Sequence, residues 1–267
     1  MSEAAIEAML RRDRAIVAAA LVILTALAWA YVWWLAADMD MSGMDMSGFR
    51  MIPAGTTAPW NAMEFALVFA MWAVMMIGMM TPSATPMILI YARVGRQAAR
   101  QGTPLAASCY FAGGYLLTWI GFALVATSAQ WALERAALLT PVMAGASDMF
   151  SGTVLIAAGV YQWTPLKDAC LRQCQSPLLF IQRHGGFRSD LLGTLALGAR
   201  HGAYCIGCCW VLMALLFVGG VMNVLWIAAI AILVLAEKVV PAGRVISRIA
   251  GAGLFAGGAW LLAQALR

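Results

Sequence analysis

The sequence predicts an all-α fold. We read it as a polytopic bundle of about seven transmembrane helices, N-terminus cytoplasmic and C-terminus periplasmic, in a bacterial inner membrane. Three observations carry this. Apolar residues make up 63% of the 267 and charged residues only 11%, against roughly 25% charged in a soluble domain. Apolar runs of about 20 residues, enough to cross the hydrocarbon core, recur along the chain. Lysine and arginine concentrate in alternate connections, as they do where basic loops stay in the cytoplasm. The net charge of +5 therefore reports orientation in a lipid bilayer and gives no reason to expect a nucleic-acid partner.

The first span covers about Ala15 to Ala36, after Arg11, Arg12 and Arg14. Its head resembles a signal peptide. The apolar run is too long for one, and no cleavage site precedes Trp29, Tyr31, Trp33 and Trp34, which read as an interfacial belt on an uncleaved helix. Residues 37–61 form an extracytoplasmic loop containing "DMDMSGMDMSGF". The second span covers about Ala62 to Tyr91, and Arg93, Arg96 and Arg100 follow it. The third runs from about Pro104 to Ala126 and the fourth from about Asp148 to Trp163. Residues 164–200 form a basic, cytoplasmic, cysteine-containing loop. Within it, "SDLLGTLALGAR" is either an interfacial amphipathic helix or an N-terminal extension of the fifth span. The fifth, sixth and seventh spans cover about Gly202 to Gly220, Val224 to Val240 and Ile246 to Leu266. With no repeat and no soluble insertion, residues 1–267 form one integral membrane domain.

Four patterns carry chemistry. In "RHGAYCIGCCW", His201, Cys205, Cys208 and Cys209 recur at helical spacings of three and four, so all four share one side of a helix. Thiolate and imidazole suit Cu(I), and they suit Zn(II) as well. In "MWAVMMIGMMTPSATP", Met71, Met75 and Met79 form one row and Met76 and Met80 an adjacent one. Thioethers hold Cu(I) without bringing formal charge into lipid, although methionine also fills irregular packing gaps. Pro82 and Pro86 are expected to break or bend that helix, with Thr81, Ser83 and Thr85 satisfying the freed carbonyls. In "KDACLRQC", Cys170 and Cys174 are four apart and would clamp one soft ion if helical, their pKa values lowered by Lys167 and Arg172. In the first loop, Met39, Met41, Met44 and Met46 offer thioethers where free thiols would oxidise, and the interleaved aspartates attract cations. Glu237 beside Lys238 reads either as a snorkelled pair or as a proton-linked element, and His184 as solvated.

The segments "MWAVMMIGMMTPSATPMI", "GVYQWTPLKDACLRQC", "RHGAYCIGCCWVLMALLFVGGVMNVLW" and the pair "EK" resemble the domain of unknown function 2182 family of metal-binding integral membrane proteins, over roughly Met63 to Lys238. The resemblance implies a link to copper, and it places Cys170, Cys174, Cys205, Cys208 and Cys209 on the family's motif cysteines.

The expected function is copper handling: binding of a copper ion, as Cu(I), by methionine and cysteine–histidine ligands for transport, or for delivery as a membrane metallochaperone or cuproenzyme assembly factor, with a copper chaperone or cuproenzyme as partner. Soft groups at three depths fit a route of several modest sites. No P-loop is present for ATP hydrolysis. One alternative is a membrane thiol–disulfide oxidoreductase using Cys205 and Cys208. Another is a structural subunit of an oligomer or larger membrane complex, to which the glycine-rich face at Gly251 to Gly258 would lend close packing.

Overall fold

The computed structural model describes residues 3–41, 60–101, 107–140 and 143–267; for 3–15, 38–41 and 99–100 only the backbone is described. The described residues form helices α1 (Glu3–Met41), α2 (Ala62–Arg100), α3 (Ser108–Arg135), α4 (Asp148–Tyr161), α5 (Pro165–Gln175), α6 (Pro177–Arg183), α7 (Leu191–Ala214), α8 (Leu216–Gly219), α9 (Val224–Val239) and α10 (Gly243–Ala265). No strand occurs among them.

Five stretches are long and apolar enough to cross a membrane: Ile16–Ala37, Ala62–Ala98, Ser108–Arg135, Leu191–Gly219 and Gly243–Ala265. The other two spans expected from the sequence are short. Helix α4 has 14 residues and α9 has 16, about 21 and 24 Å of rise. Length and composition thus support five spans rather than seven.

Helix α4 runs antiparallel along α10, and glycines set the contact. A Cβ on Gly159 would stand 2.7 Å from the Gly251 carbonyl oxygen, and one on Gly152 would stand 2.9 Å from that of Gly258. Small residues at matched positions let two helix backbones touch. At the end of α4, Trp163 Nε1 donates to the Arg248 carbonyl at 3.1 Å. Helices α3 and α7 cross as closely: a Cβ on Gly114, Gly198 or Gly202 would run into the backbone of Leu195, the backbone of Phe111 and the side chain of Thr118, respectively.

Four boundaries differ from those expected. The third span runs from Ser108 to Arg135, nine residues beyond Ala126. The fifth span begins at Leu191, eleven residues before Gly202. The Asp190 carboxylate accepts the Gly193 N–H at 2.6 Å and caps the new start, so "DLLGTLALGAR" is the N-terminal extension. The second span is continuous through Pro82 and Pro86 to Arg100. Proline at position i deprives the carbonyl at i−4, here Gly78 and Pro82. The hydroxyls of Thr81, Ser83 and Thr85 instead bond the carbonyls of Ile77, Met80 and Thr81 at 2.6, 2.9 and 3.0 Å. They brace the helix without replacing the two lost bonds. Helix α1 continues to Met41, so the loop expected from residue 37 starts later. Met39 and Met41 lie on helical backbone, while Met44 and Met46 lie outside the described residues.

Candidate metal centre

Helix α7 delivers the cysteine cluster as its spacing foretold. Cys205, Cys208 and Cys209 are all buried. Each of the last two turns its thiol back onto the Cys205 carbonyl, at 3.1 Å from Cys208 Sγ and 2.9 Å from Cys209 Sγ. Helix α5 docks beside them. The Cys174 thiol interacts directly with those of Cys205 and Cys208. Cys170 packs one turn earlier, where a Cβ on Gly207 would meet its Sγ at 2.8 Å. Cys170 and Cys174 therefore do not stand apart as a pair: α5 brings Cys174 against the α7 cysteines. All six cysteines are unpaired.

The expectation that basic neighbours lower the α5 thiol pKa values is overturned. Burial pushes the Cys170 thiol up, and the contacts with Cys205 and Cys208 push that of Cys174 up. The reason is where the basic groups go. The Lys167 ammonium turns inward to Glu237 Oε2 at 2.8 Å, and Arg172 is exposed.

Two charged residues enter the core at the C-terminal end of α9. Neighbours in a helix point about 100° apart, so Glu237 and Lys238 do not pair with each other. Glu237 meets Lys167, which also bonds the Gln162 side-chain oxygen. Ser247 Oγ reaches the same oxygen at 2.9 Å. Lys238 faces the thiols. Its Nζ donates to Cys205 Sγ at 2.8 Å, lies 3.9 Å from Cys209 Sγ, and lies 3.4 Å from Ser83 Oγ of α2. Tyr115 of α3 closes the far side: its hydroxyl stands 3.1 Å from Cys205 Sγ and donates to the Met80 carbonyl at 3.1 Å. Helices α2, α3, α5, α7 and α9 thus meet around Cys205.

His201 lies one turn before Cys205 and is 3% exposed. Its ring packs against Phe180, Tyr115 and Phe111 with centroids 5.1, 5.7 and 5.9 Å away. Its Nδ1 is buried without a hydrogen-bond partner. An orphaned imidazole nitrogen one helical turn from a packed set of thiols suits a soft metal ion, since the ion would supply the missing interaction. Among the described residues, no three His, Cys, Asp or Glu side chains are arranged as they stand to hold a metal. The Cys208 and Cys209 thiols are instead turned to the Cys205 carbonyl.

Met71, Met75, Met76, Met79 and Met80 are buried, none more than 2% exposed. They join the core that includes the thiols, and Met80 touches the centre through its backbone bond to Tyr115. Further up the same helix, Trp72 Nε1 donates to Gln130 at 2.7 Å, Gln130 donates to Glu134 at 2.9 Å, and Trp60 Nε1 donates to Glu134 at 3.1 Å. This chain ties the start of α2 to the end of α3.

The sequence did not single out Tyr115, Phe180 or Gln162 as parts of the site, and it set Lys167 beside the α5 thiols rather than against Glu237. Each reaches it by tertiary packing, which leaves no local pattern. The start of α7 did leave a signal: an aspartate directly before an apolar run is a helix N-cap.

A family model described as PpoB2, copper chaperone, matches residues 69–261. The chain belongs to this copper-chaperone family. The match covers α3, α5, α7 and α9 and all but the first turns of α2, and it carries this description rather than the domain of unknown function 2182 name. No curated protein and no solved structure was found to match.

Proposed function

We propose that the chain is a membrane-embedded Cu(I) carrier that holds the ion at Cys174, Cys205, Cys208 and Cys209, with His201 as an additional nitrogen donor, and hands it to or from a copper protein. The observation that carries this reading is the docking of α5 on α7. It brings four thiols from two separate motifs against one another, beside an imidazole nitrogen that nothing else satisfies. Thiolates select Cu(I) over harder ions. Rotation of Cys208 and Cys209 about χ1 releases the Cys205 carbonyl and turns their thiols toward the ion. Lys238 sets a positive charge against the cluster and offsets negative charge that thiolates would otherwise leave in a low-dielectric bundle.

The remaining soft residues extend the reading. The buried methionines from Met71 to Met80 climb α2 at one-turn intervals away from Cys205 and serve as weak neutral stepping points. Met39, Met41, Met44 and Met46 serve as the capturing segment on the other face. The distribution of arginines supports a cytoplasmic position for α5 and α6, so the thiol cluster is the inner station of this route. Nothing in the packing favours thiol–disulfide exchange: Cys205 and Cys208 are 2% and 0% exposed, whereas exchange needs an accessible thiol.

The test is the metal content of detergent-purified protein after anaerobic Cu(I) loading and washing, with Zn(II) as competitor. Wild type is expected to retain copper, and a folded C205S/C208S/C209S variant to lose it. Equal retention in both would overturn the thiol assignment. Preferential Zn(II) retention would overturn the metal.

A further inference from the structure

We propose that His184 is a transit ligand for Cu(I) at the α5–α6 end of the bundle, with the Phe180 ring set against both it and the buried centre. This rests on the reading above and adds a second metal-binding position to it. The chain has two histidines, and both lie against the same residue. The Phe180 ring centroid is 4.4 Å from that of His184 and 5.1 Å from that of His201. Tyr204, on the turn between His201 and Cys205, packs against His184 at 5.6 Å and Phe180 at 5.9 Å. The sequence alone gave His184 the reading of a solvated side chain. It is half-buried, and its ring is held on one side by aromatic groups.

Its hydrogen bonding is that of a ligand. His184 Nδ1 lies 2.7 Å from the Phe180 carbonyl oxygen. A carbonyl only accepts, so Nδ1 carries the proton, and the neutral ring keeps its lone pair on Nε2. That nitrogen makes no hydrogen bond among the described residues. Fixing Nδ1–H on a backbone carbonyl is how proteins orient a metal-ligating imidazole. Backbone bonds from the His184 N–H to the Phe180 and Ile181 carbonyls, both at 3.2 Å, hold the residue on the end of α6.

The charge of the surroundings selects the form of the cargo. Arg183 and Arg188 are exposed on either side of His184. Two guanidinium groups repel a hard dication and attract an anionic Cu(I) complex, such as Cu(I) held by two thiolates of a donor. The step is a ligand exchange in which copper stays Cu(I) and no electron moves. The Nε2 lone pair forms a bond to copper, one donor thiolate–copper bond breaks, and that thiolate leaves with its electron pair on the donor. Displacement of the Phe180 side chain then opens the way to His201 and Cys205.

The experiment follows uptake from the anionic Cu(I) complex of bicinchoninate into the full-length protein in detergent, reading rate and final stoichiometry separately. His184→Gln is expected to slow uptake at least tenfold and to reach the wild-type copper content. Arg183→Ala is expected to slow it severalfold in low salt. Uptake by His184→Gln at the wild-type rate would overturn the proposal and leave the thiol centre intact. A second measurement is independent of that centre. In the C205S/C208S/C209S background, the His184 imidazole resonances are expected to shift on titration with Ag(I), a non-redox substitute for Cu(I). Unshifted resonances would overturn the transit site, whereas shifted resonances with no copper retained by wild type would sink only the thiol-centre reading.

Discussion

Lys167 and Glu237 show how much of this molecule is decided at single side chains. Both are fully removed from solvent and 2.8 Å apart, and Glu237 Oε1 and Gln162 Nε2 remain without partners. Removing one member of a buried pair strands the other charge, at a cost of about 3–5 kcal/mol, whereas replacing both with apolar residues of similar volume is often close to neutral. Glu237→Gln is therefore expected to lower the thermal unfolding midpoint in detergent sharply, and K167M/E237L to recover most of the loss. Additive losses in the double variant would show that the pair is not the reason for the cost. Cys170 gives a second expectation. Burial raises its pKa, so its thiolate fraction should still be climbing at pH values where a free cysteine, with a pKa of about 8.5, has levelled off. Iodoacetamide labelling followed by mass spectrometry across pH 7 to 11 checks this. A plateau at or below the free-cysteine pH would mean that Lys167 and Arg172 activate the thiol, as the sequence first suggested.

At the scale of elements, the centre depends on how closely α3 and α7 approach. Tyr115 touches Cys205 only because Gly114, Gly198 and Gly202 let the two backbones meet. Gly198→Ala drives a methyl into the Phe111 backbone, which cannot yield as a side chain could. Overpacking of this kind costs about 1–3 kcal/mol, and here it also separates Tyr115 from the thiols. The expected result is both a lower unfolding midpoint and weaker Cu(I) retention. Gly121→Ala, on the partner helix α3, meets nothing within 4 Å and should leave both readouts unchanged; equal effects of the two would refute the packing argument. The elements also mark what the sequence can convey. The three-and-four spacing of Cys205, Cys208 and Cys209 is a local property of a helix, and it was legible. The capture of Cys174 by that cluster was not, because it depends on α5 folding back across about 30 residues of chain. Nor was Lys238's choice of the thiols over Glu237. Adjacency in sequence suggested a pair, and helical geometry forbids it.

At the scale of the whole molecule, the arginines and the packing together favour a bilayer crossing by α4, although its length does not. Five crossings and seven both put the chain termini on opposite faces, so only an internal loop can tell them apart. If neither α4 nor α9 crosses, the segment from α4 to α7 stays on the face reached after α3. Lys167, Arg172, Arg183 and Arg188 would then lie outside, against the rule that basic loops stay in the cytoplasm. The packing agrees with a crossing. Gly152 and Gly159 of α4 lie against Gly258 and Gly251 of α10, and Trp163 reaches Arg248. Helix α4 therefore runs beside most of a helix that is itself long enough to span. A 14-residue helix rises about 21 Å, short of the 30 Å core, so a crossing by α4 would require local thinning of the bilayer. In intact cells, with Cys109 replaced by serine, a membrane-impermeant maleimide should label Ser147→Cys, at the start of α4, and spare Ser189→Cys, just before α7. Labelling of both positions would keep α4 on one face. It would also move His184 and the approach to the thiols to the outside, so the copper donor would have to be sought there.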